Sequence, residues 1–444
     1  MATVEGLDDS ARWRVPPFAS ADNRSPAVSS LVRATYAVVL AGGRGSRLKQ
    51  LTDWRCKPAV PFGGRHRIID FALSNCINSG VRRIGVATQY RSHSLIRHLQ
   101  RGWNFLDARL QEFLDVLPPQ RPLQVGWYGG TADAIYQNLD ILRLQEPRFV
   151  LVLAGDHVYK MDYGMMLADH VECGADVSVS CVDVPAPDAH HFGVMRVDPR
   201  DDIVEFVEKP TTPAVLPEDP TRSLVSMGIY VFNAESLRRI LRADANEPLS
   251  GHDFGRDVIP RLLAGGTRVH AHRFRRSCVN MVRGRPYWRD VGTVDAYWSA
   301  NMDLAHIEPE LNMYDPEWPI RTHDEYMPPA KFIFEGPDPH GQAWDCIVSS
   351  GCIVTGASIH RSLLFTGVRV QRNSHIEDSV VLPEVSIGHG VRLRRAVVDK
   401  FCVLPDGFEA GVNRRADEAR FHVTPGGVTL ITPEMLGQHI HEEE

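Results

Sequence analysis

A chain of 444 residues is longer than one hydrophobic core usually supports, so we expect two or more domains. Its hydrophobic fraction of 43% and charged fraction of 23% are typical of globular proteins. A formal net charge of −6 provides no polycation for nucleic acid or an anionic membrane, and no apolar run reaches the roughly 18–20 residues of a membrane span. The eight cysteines form no CxxC pair, which argues against a zinc site and favours a reduced, cytoplasmic location.

The first 33 residues are rich in Ser, Ala, Pro and Arg and lack the apolar core of a secretory signal. Glu5, Asp8, Asp9 and Asp22 also argue against a transit peptide. We therefore predict a mobile N-terminal arm over residues 1–33.

A glycine-rich turn follows the first apolar run. Residues 36–39 predict a buried strand, and the turn after it contains Gly42, Gly43 and Gly45. Glycines let backbone N–H groups approach a bulky anion, and two arginines of the turn add positive charge. The turn lacks the third glycine of a dinucleotide fold and the Gly-Lys-Ser/Thr of a Walker loop. It predicts a polyphosphate site at the carboxyl end of the strand, although such a turn is often only a turn.

Strands and helices alternate after this turn. The apolar pattern predicts further strands over residues 82–88, 149–155, 176–184 and 226–232. Apolar stripes and capping residues predict helices over residues 92–99 and 131–142. This alternation indicates an α/β fold with an open, mostly parallel, Rossmann-like sheet over residues 34–304. Crowded prolines then mark residues 305–345 as an interdomain linker that we expect to pack on both flanking domains.

Aliphatic residues repeat after the linker. Three columns recur every seventeen residues, with members Ile353, Val370 and Ile387; Ile359, Ile376 and Leu393; and Ile347, Leu364, Val381 and Val398. Three inward columns per coil predict a left-handed parallel β-helix of hexapeptide type over residues 346–444. Each coil buries its apolar side chains against the next, so several coils are needed for stability.

Four side chains are candidates for chemistry on a phosphate. Asp156 follows the strand 149–155 at the sheet edge where ligands bind, and its carboxylate suits Mg²⁺, with Asp290 as a second candidate ligand. Lys209 can hold a phosphate monoester, and Glu208 can accept hydrogen bonds from sugar hydroxyls. Turn aspartates and surface ion pairs are the ordinary alternatives for these residues. The absence of a nucleophile motif favours direct displacement over a covalent intermediate.

Several motifs taken together resemble the sugar-nucleotide pyrophosphorylases. They are residues 40–48 (LAGGRGSRL), 57–60 (KPAV), 155–157 (GDH), 206–210 (FVEKP) and 287–292 (YWRDVG). Within that family, the chain resembles the bacterial ADP-glucose pyrophosphorylases at residues 67–75 (RIIDFALSN), 127–128 (WY), 130–133 (GTAD) and 226–230 (SMGIY). The similarity runs from about residue 36 to the last coil of the repeat.

The resemblance implies a nucleotidyltransferase that makes ADP-glucose and pyrophosphate from ATP and α-D-glucose 1-phosphate, the committed step of glycogen synthesis. The nucleotide site that it implies comprises Gly42, Gly43, Gly45, Gln89 and Gly130. The implied catalytic residues are Arg47, Lys57 and Asp156. Arg47 would bind the β- and γ-phosphates of ATP, and Lys57 would neutralise the charge that develops in the transition state. Asp156 would hold Mg²⁺ together with Asp290. The implied glucose 1-phosphate site comprises Tyr128, Gly193, Glu208, Lys209 and Ser226.

The same resemblance implies a cytoplasmic homotetramer that is regulated by anions. A sugar phosphate or pyruvate is the implied activator, and AMP or phosphate the implied inhibitor. The effector-binding positions match Arg55, Arg67 and Lys400, and the positions that relay the signal match Gln89 and Trp127.

Two residues depart from the enteric-type pattern. Trp54 and Pro61 replace a lysine and a histidine of the fructose 1,6-bisphosphate pocket, which favours fructose 6-phosphate or pyruvate as activator. Three alternatives compete with this activity: a pyrophosphorylase for another nucleotide or sugar phosphate, a non-catalytic regulatory subunit, and an acyltransferase built on the β-helix. The retained catalytic charges argue against the second, and the small number of coils argues against the third.

Overall fold

The computed structural model describes residues 25–119, 128–281, 284–333 and 342–438. A nine-stranded sheet forms the centre of the first domain. Its strands, labelled here in chain order, are β1 Thr35–Ala41, β2 Arg83–Thr88, β3 Phe113–Leu117, β4 Phe149–Ala154, β5 Val177–Pro185, β6 Gly193–Val197, β7 Ile203–Glu208, β8 Arg222–Asn233 and β9 Val269–Arg273.

Helices cover this sheet and connect its strands. They are α1 Pro26–Arg33, α2 Ile69–Asn78, α3 His93–Gly102, α4 Thr131–Tyr136, α5 Leu139–Leu144, α6 Tyr163–Cys173, α7 Ala234–Ala245, α8 Ile259–Ala264 and α9 Val294–Asp303, with α10 Arg414–Glu418 in the second domain. The predicted helix over residues 131–142 is thus two short helices. Among the described residues, none of the helices combines the length and apolarity that crossing a membrane requires.

The sheet order is β7-β6-β8-β4-β1-β2-β3, with β5 beside β8 and β9 beside β5. The four neighbouring strands β4, β1, β2 and β3 run parallel to one another, and β5 runs parallel to β9. Helical crossovers separate these strands in the chain, which allows the parallel pairing. Antiparallel pairing involves β8 and the β6–β7 hairpin. The structure confirms the α/β fold class and the open sheet.

Part of the predicted mobile arm is ordered. Residues 26–33 form α1, which begins with Ser25 accepting a hydrogen bond from the N–H of Val28 (3.4 Å) and with proline at its first position. Val32 on this helix is buried in the core beneath the sheet. The expectation of mobility was therefore wrong for residues 26–33, because this stretch carries an apolar side chain that packs on the domain.

The second domain is a parallel β-helix. Its first sheet contains Lys331–Ile333, Ile353–Thr355, Arg369–Val370, Ser386–Ile387 and Val403–Leu404. Its second sheet contains Gln342–Trp344, Ser358–His360, His375–Glu377, Arg392–Arg394 and Glu409–Ala410. Its third sheet contains Ile347–Val348, Leu363–Leu364, Val380–Val381, Ala396–Val398, Thr429–Ile431 and the antiparallel strand His422–Val423. The repeat therefore predicted the architecture.

The first coil differs from the predicted register by one residue. Val354, rather than Ile353, pairs with Val370, and Ile347 is displaced by one residue in the same way. Because side chains alternate across a strand, this shift turns Ile353 and Ile347 away from the coil interior, and both are half-buried. The predicted columns through Ile359 and from residue 364 onward are confirmed.

The two domains share an apolar interface. Its buried side chains include Phe62 and Tyr297 of the first domain and Phe365, Leu382 and Leu430 of the second. The linker lies against the first domain through the buried residues Leu311, Trp318 and Ile320. Residues 331–333 and 342–344, which the sequence assigned to the end of the linker, are themselves strands of the β-helix sheets.

Candidate active site

Two carboxylates that are far apart in the sequence meet through a short pair of strands. Val158–Tyr159 pairs antiparallel with Trp288–Arg289, and we call this pair the carboxylate ribbon. Asp156 lies just before the first strand of the ribbon, and Asp290 directly follows the second. The pairing therefore places both aspartates at one end of the ribbon, beside the carboxyl ends of β1 and β4.

Lys57 connects the two carboxylates. Its Nζ lies 3.0 Å from Asp156 Oδ2 and 2.6 Å from Asp290 Oδ1, and its side chain is only 4% exposed. Arg47 Nη2 lies 2.9 Å from Asp290 Oδ2. The carboxylates and cations thus form one network in which each negative charge has a positive partner.

This network changes the pKa of each member. Burial lowers the pKa of Lys57, but attraction by Asp156 and Asp290 outweighs burial and holds that pKa above its ordinary value. Burial raises the pKa of both carboxyls, but the Lys57 ammonium, followed by His157, outweighs it and holds each pKa below its ordinary value. At neutral pH the lysine is therefore charged and both aspartates are ionised.

The glycine turn positions Lys57. Gly45 has φ 71°, a left-handed conformation that favours glycine. A Cβ atom on Gly45 would lie 2.7 Å from Lys57 Cβ, so a larger residue displaces the lysine. The N–H of Lys57 also points to the carbonyl oxygen of Gly43 at 3.4 Å. The absence of a side chain at Gly45 therefore leaves room for Lys57 to reach the two carboxylates.

A cavity of about 450 Å³ opens in front of this network. The predicted site residues that line it are Gly42, Gly43, Arg47, Gln89, Tyr128, Gly130, Asp156, Gly193, Glu208, Lys209, Ser226 and Asp290. Gly45 and Lys57 lie behind this wall rather than in it. Trp127 lies outside the described residues.

One end of the cavity carries the Glu208–Lys209 pair. Lys209 Nζ lies 3.0 Å from Glu208 Oε1, and the lysine side chain is 64% exposed, so it is free to turn towards a ligand. Lys209 has φ 47°, a strained conformation for a residue with a Cβ atom, and such strain is concentrated at functional sites. Gly193 lies against this pair, because a Cβ atom there would meet Phe206 at 2.4 Å and Glu208 Oε2 at 2.8 Å.

Other parts of the cavity wall are held by hydrogen bonds between side chains and the backbone. The N–H of Tyr128 donates to Gln89 Oε1 (3.0 Å), and the Tyr128 hydroxyl donates to the carbonyl oxygen of Leu117 (3.0 Å). Gln89 follows β2, so the ring of Tyr128 is fixed relative to the glycine turn of β1. Ser226 Oγ accepts from the N–H of Gly228 (3.1 Å) where β8 meets the cavity.

Sequence reasoning assigned no role to several residues of the cavity wall, among them His157, Tyr230 and Asp253. The first two lie inside the motifs at residues 155–157 and 226–230, and strand alternation beyond Ser226 could have indicated Tyr230. Asp253 follows a loop with no motif, and it reaches the cavity because it accepts a hydrogen bond from Thr131 Oγ1 (2.9 Å).

The carboxylate end fits a divalent cation. Asp156, His157 and Asp290 each offer one ligand atom, and in the described part of the chain these atoms lie within 4.8 Å of one another. His157 Nε2 is 3.5 Å from Asp156 Oδ1 and 3.6 Å from Asp290 Oδ1. Two carboxylates facing the cavity match the oxygen ligands that Mg²⁺ prefers.

A second cavity, of about 1070 Å³, lies between the domains, and we call it the interdomain cavity. Arg67 and Lys400 line it, together with Arg65, Arg97 and Arg101. Burial and then the nearby Arg55 lower the pKa of Lys400 to about 8.

Arg55 lies beside the interdomain cavity but not in its wall. It makes a buried bidentate ion pair with Asp399 of the β-helix, with both N–O distances 2.8 Å. Of the three predicted effector residues, two therefore face this cavity, and the third joins the two domains.

Two family models match the chain. A nucleotidyl transferase model matches residues 36–307, and a GlmU-like C-terminal hexapeptide model matches residues 328–431. The glucose-1-phosphate adenylyltransferase of Nitrosomonas europaea is 59% identical over 429 residues, which cover 96% of this chain and 99% of the relative. Proteins of the same name from Nitrosospira multiformis (58%, covering 95% and 98%) and Methylobacillus flagellatus (59%, covering 93% and 97%) are similar over nearly their full lengths.

Proposed function

The chain belongs to the glucose-1-phosphate adenylyltransferases, and we propose that the 450 Å³ cavity is where it transfers the adenylyl group of ATP to α-D-glucose 1-phosphate, releasing pyrophosphate. One observation carries the assignment to this cavity. Asp156, Asp290 and Arg47 line the same space as Glu208 and Lys209, so groups suited to a triphosphate and to a sugar phosphate face one another.

The proposed reaction is a direct displacement. An oxygen of the glucose 1-phosphate phosphate forms a bond to the α-phosphorus of ATP, and the bond from that phosphorus to the bridging oxygen of pyrophosphate breaks. Such a transfer requires positioning and charge neutralisation rather than a covalent enzyme intermediate. Backbone N–H groups at Gly42 and Gly43 and the guanidinium of Arg47 hold the phosphates, while Lys57 opposes the charge that develops.

Asp156 and Asp290 hold Mg²⁺ in this proposal. When bound, the ion neutralises phosphate charge and polarises phosphoryl oxygens. Lys57 keeps both carboxylates ionised and close together even before a ligand arrives. Tyr128, Gly193, Glu208 and Ser226 shape the sugar end of the cavity.

Replacing Lys209 should weaken glucose 1-phosphate binding selectively. In Lys209→Ala the KM for glucose 1-phosphate rises roughly tenfold or more, because a charged hydrogen bond to its phosphate is lost, while the KM for ATP changes little. Initial rates with each substrate varied in turn measure both constants. Lys331→Ala, which removes an exposed lysine of the β-helix, serves as control. Equal increases in both KM values for Lys209→Ala contradict the assignment.

The substrate assignment is tested by pyrophosphate release from a panel of four nucleoside triphosphates and several sugar 1-phosphates. The expected result is the highest kcat/KM for ATP with glucose 1-phosphate. A higher value for another nucleotide or another sugar phosphate would replace this function by the alternative pyrophosphorylase activity.

The proposal extends to regulation through the interdomain cavity. Its wall carries Arg67, Lys400 and further arginines, whose positive charge attracts anions. The proposed activator is a sugar phosphate or pyruvate, and the proposed inhibitor is AMP or phosphate. Homotetramer assembly and the place of the product in glycogen synthesis belong to the same proposal. So does a cytoplasmic location, because ATP and glucose 1-phosphate are metabolites of that compartment.

The pKa of Lys400 predicts how an anion should bind. Because this pKa is lowered to about 8, the side chain is charged below that pH and loses its charge as pH rises through it. Affinity for an anion such as fructose 6-phosphate should therefore fall by up to about tenfold between pH 7 and pH 9. Binding titrations across this range measure the effect. Lys400→Arg, which stays charged, should remove the pH dependence, and an unchanged profile in that variant would rule out Lys400 as its source.

A further inference from the structure

The linker reaches the back of the carboxylate ribbon through two buried polar contacts. Trp318 Nε1 donates to Asn75 Oδ1 (2.9 Å), and Lys160 Nζ donates to Asp315 Oδ2 (3.2 Å). All four residues are at most 8% exposed. Two residues of the linker thus bond side chains of the first domain in its interior.

Both contacts hold the chain immediately after Asp156. Asn75 Nδ2 donates to the carbonyl oxygen of Tyr159 (3.1 Å), and Asn75 Oδ1 accepts from the N–H of Met161 (3.2 Å). Lys160, which pairs with the linker, lies between these two residues. Since buried backbone groups that lose their partners are costly, these bonds fix the position of the ribbon strand that follows Asp156.

The same linker forms a wall of the interdomain cavity. The cavity is lined by Met313 and Tyr314, which precede Asp315 in the chain. It is also lined by Ile320 and residues 322–327, which follow Trp318. Asp315 and Trp318 therefore lie between two stretches of cavity wall. A displacement of that wall would move Asp315 and Trp318 and so disturb the contacts that hold the ribbon.

The remaining walls come from both domains, and their basic side chains outnumber the acidic one, Glu384. Arg67 and Arg97 belong to the first domain and Lys400 to the β-helix, so an anion in the cavity attracts side chains on both sides of the linker. An anion that binds more tightly with the linker wall in one position than in another would shift the balance between those positions, which is what coupling between two sites requires.

We propose that Asp315 and Trp318 are positioning residues that transmit occupancy of the interdomain cavity to the carboxylate ribbon, and thereby to Asp156 and Asp290. This inference rests on the proposed binding of anions in that cavity. A merely structural role predicts something different, because loss of either contact then lowers stability without altering the response to an anion.

Trp318→Phe tests the inference with little disturbance of the core. Phenylalanine keeps an aromatic ring, but it removes the Nε1–H bond to Asn75 and part of the volume of the indole, a loss of volume that the control variant shares. Trp298→Phe is the matched control, because Trp298 Nε1 donates to the carbonyl oxygen of Asp378 (2.7 Å) at the domain interface, away from the ribbon. Fructose 6-phosphate, pyruvate and inorganic phosphate are the probes. Calorimetry measures their binding, and initial rates at saturating ATP, glucose 1-phosphate and Mg²⁺ measure their effect on kcat.

The expected result separates binding from response. Trp318→Phe binds the effective probe as tightly as the unmodified chain, within about twofold, but the probe-induced change in kcat falls about threefold or more. Trp298→Phe keeps the full response. Asp315→Asn, which removes the charge that faces Lys160, should lose the response as Trp318→Phe does.

Two results overturn the inference while leaving anion binding intact. One is a response of Trp318→Phe equal to that of Trp298→Phe, and the other is a probe that binds the unmodified chain without changing kcat. If no probe binds, the regulatory part of the proposed function fails and this inference fails with it. The catalytic part is judged separately by pyrophosphate release without any probe.

Discussion

Asp156→Asn should fold normally and turn over at least about 10²–10³ times more slowly than the unmodified chain. The substitution keeps the shape of the side chain but removes the charge that faces Lys57 and the cavity. Loss of one preorganised group that stabilises charge in a transition state typically costs this factor in kcat. The loss should appear in kcat rather than in the KM for glucose 1-phosphate, because the proposal assigns the phosphate of that substrate to Lys209 and not to Asp156.

Asp140→Asn makes the same chemical change at an exposed position on α5 and should leave turnover unchanged. Circular dichroism and thermal unfolding establish that both variants are folded. Near-normal turnover of a folded Asp156→Asn variant would remove this residue from the mechanism.

Asp399→Asn should cost about 3–5 kcal/mol in the free energy of unfolding. Asp399 and Arg55 are 4% and 3% exposed, and their bidentate pair joins the β-helix to the first domain. The substitution leaves the buried guanidinium without a compensating charge, which is the costly way to break such a pair. Urea titrations of the full chain, followed by fluorescence, measure the difference.

Glu409→Gln is the matched control for this second variant. Glu409 pairs with Arg392 at 3.3 Å, but these side chains are 49% and 60% exposed, so neutralising the pair should change stability by only about 0–1 kcal/mol. If both variants lose the same free energy, burial of the Arg55–Asp399 pair does not stabilise the domain interface.

Much of the fold was predictable because its strands are continuous apolar runs. The strand Phe149–Ala154 is buried along nearly its whole length, as a central parallel strand requires, and its sequence indicated this directly. The β-helix was predictable from its columns for the same reason. The sequence placed Ile353 in the column of Val370, whereas Val354 occupies that position. The first coil is one residue shorter than the next, and because Ile353 and Val354 are both apolar, the sequence pattern did not show the shift in register.

The motifs named most of the predicted residues that line the candidate site, but they did not indicate how these residues are arranged. The motifs indicated Asp156 and Asp290 separately, whereas the strand pair that unites them is two residues long on each side, too short to leave a periodic pattern. Lys57 was expected to face a transition state, and nothing in its sequence neighbourhood indicated that it bridges both carboxylates. The contacts of Asp315 and Trp318 likewise depend on tertiary packing of a proline-rich segment.

The most direct measurement of the central claim is a crystal structure of the chain with ADP-glucose and Mg²⁺. The account predicts that the product lies in the 450 Å³ cavity, with its phosphates at the glycine turn, its glucose beside Glu208, and one ion held by both Asp156 and Asp290. A product bound elsewhere, or an ion that contacts neither aspartate, would contradict it.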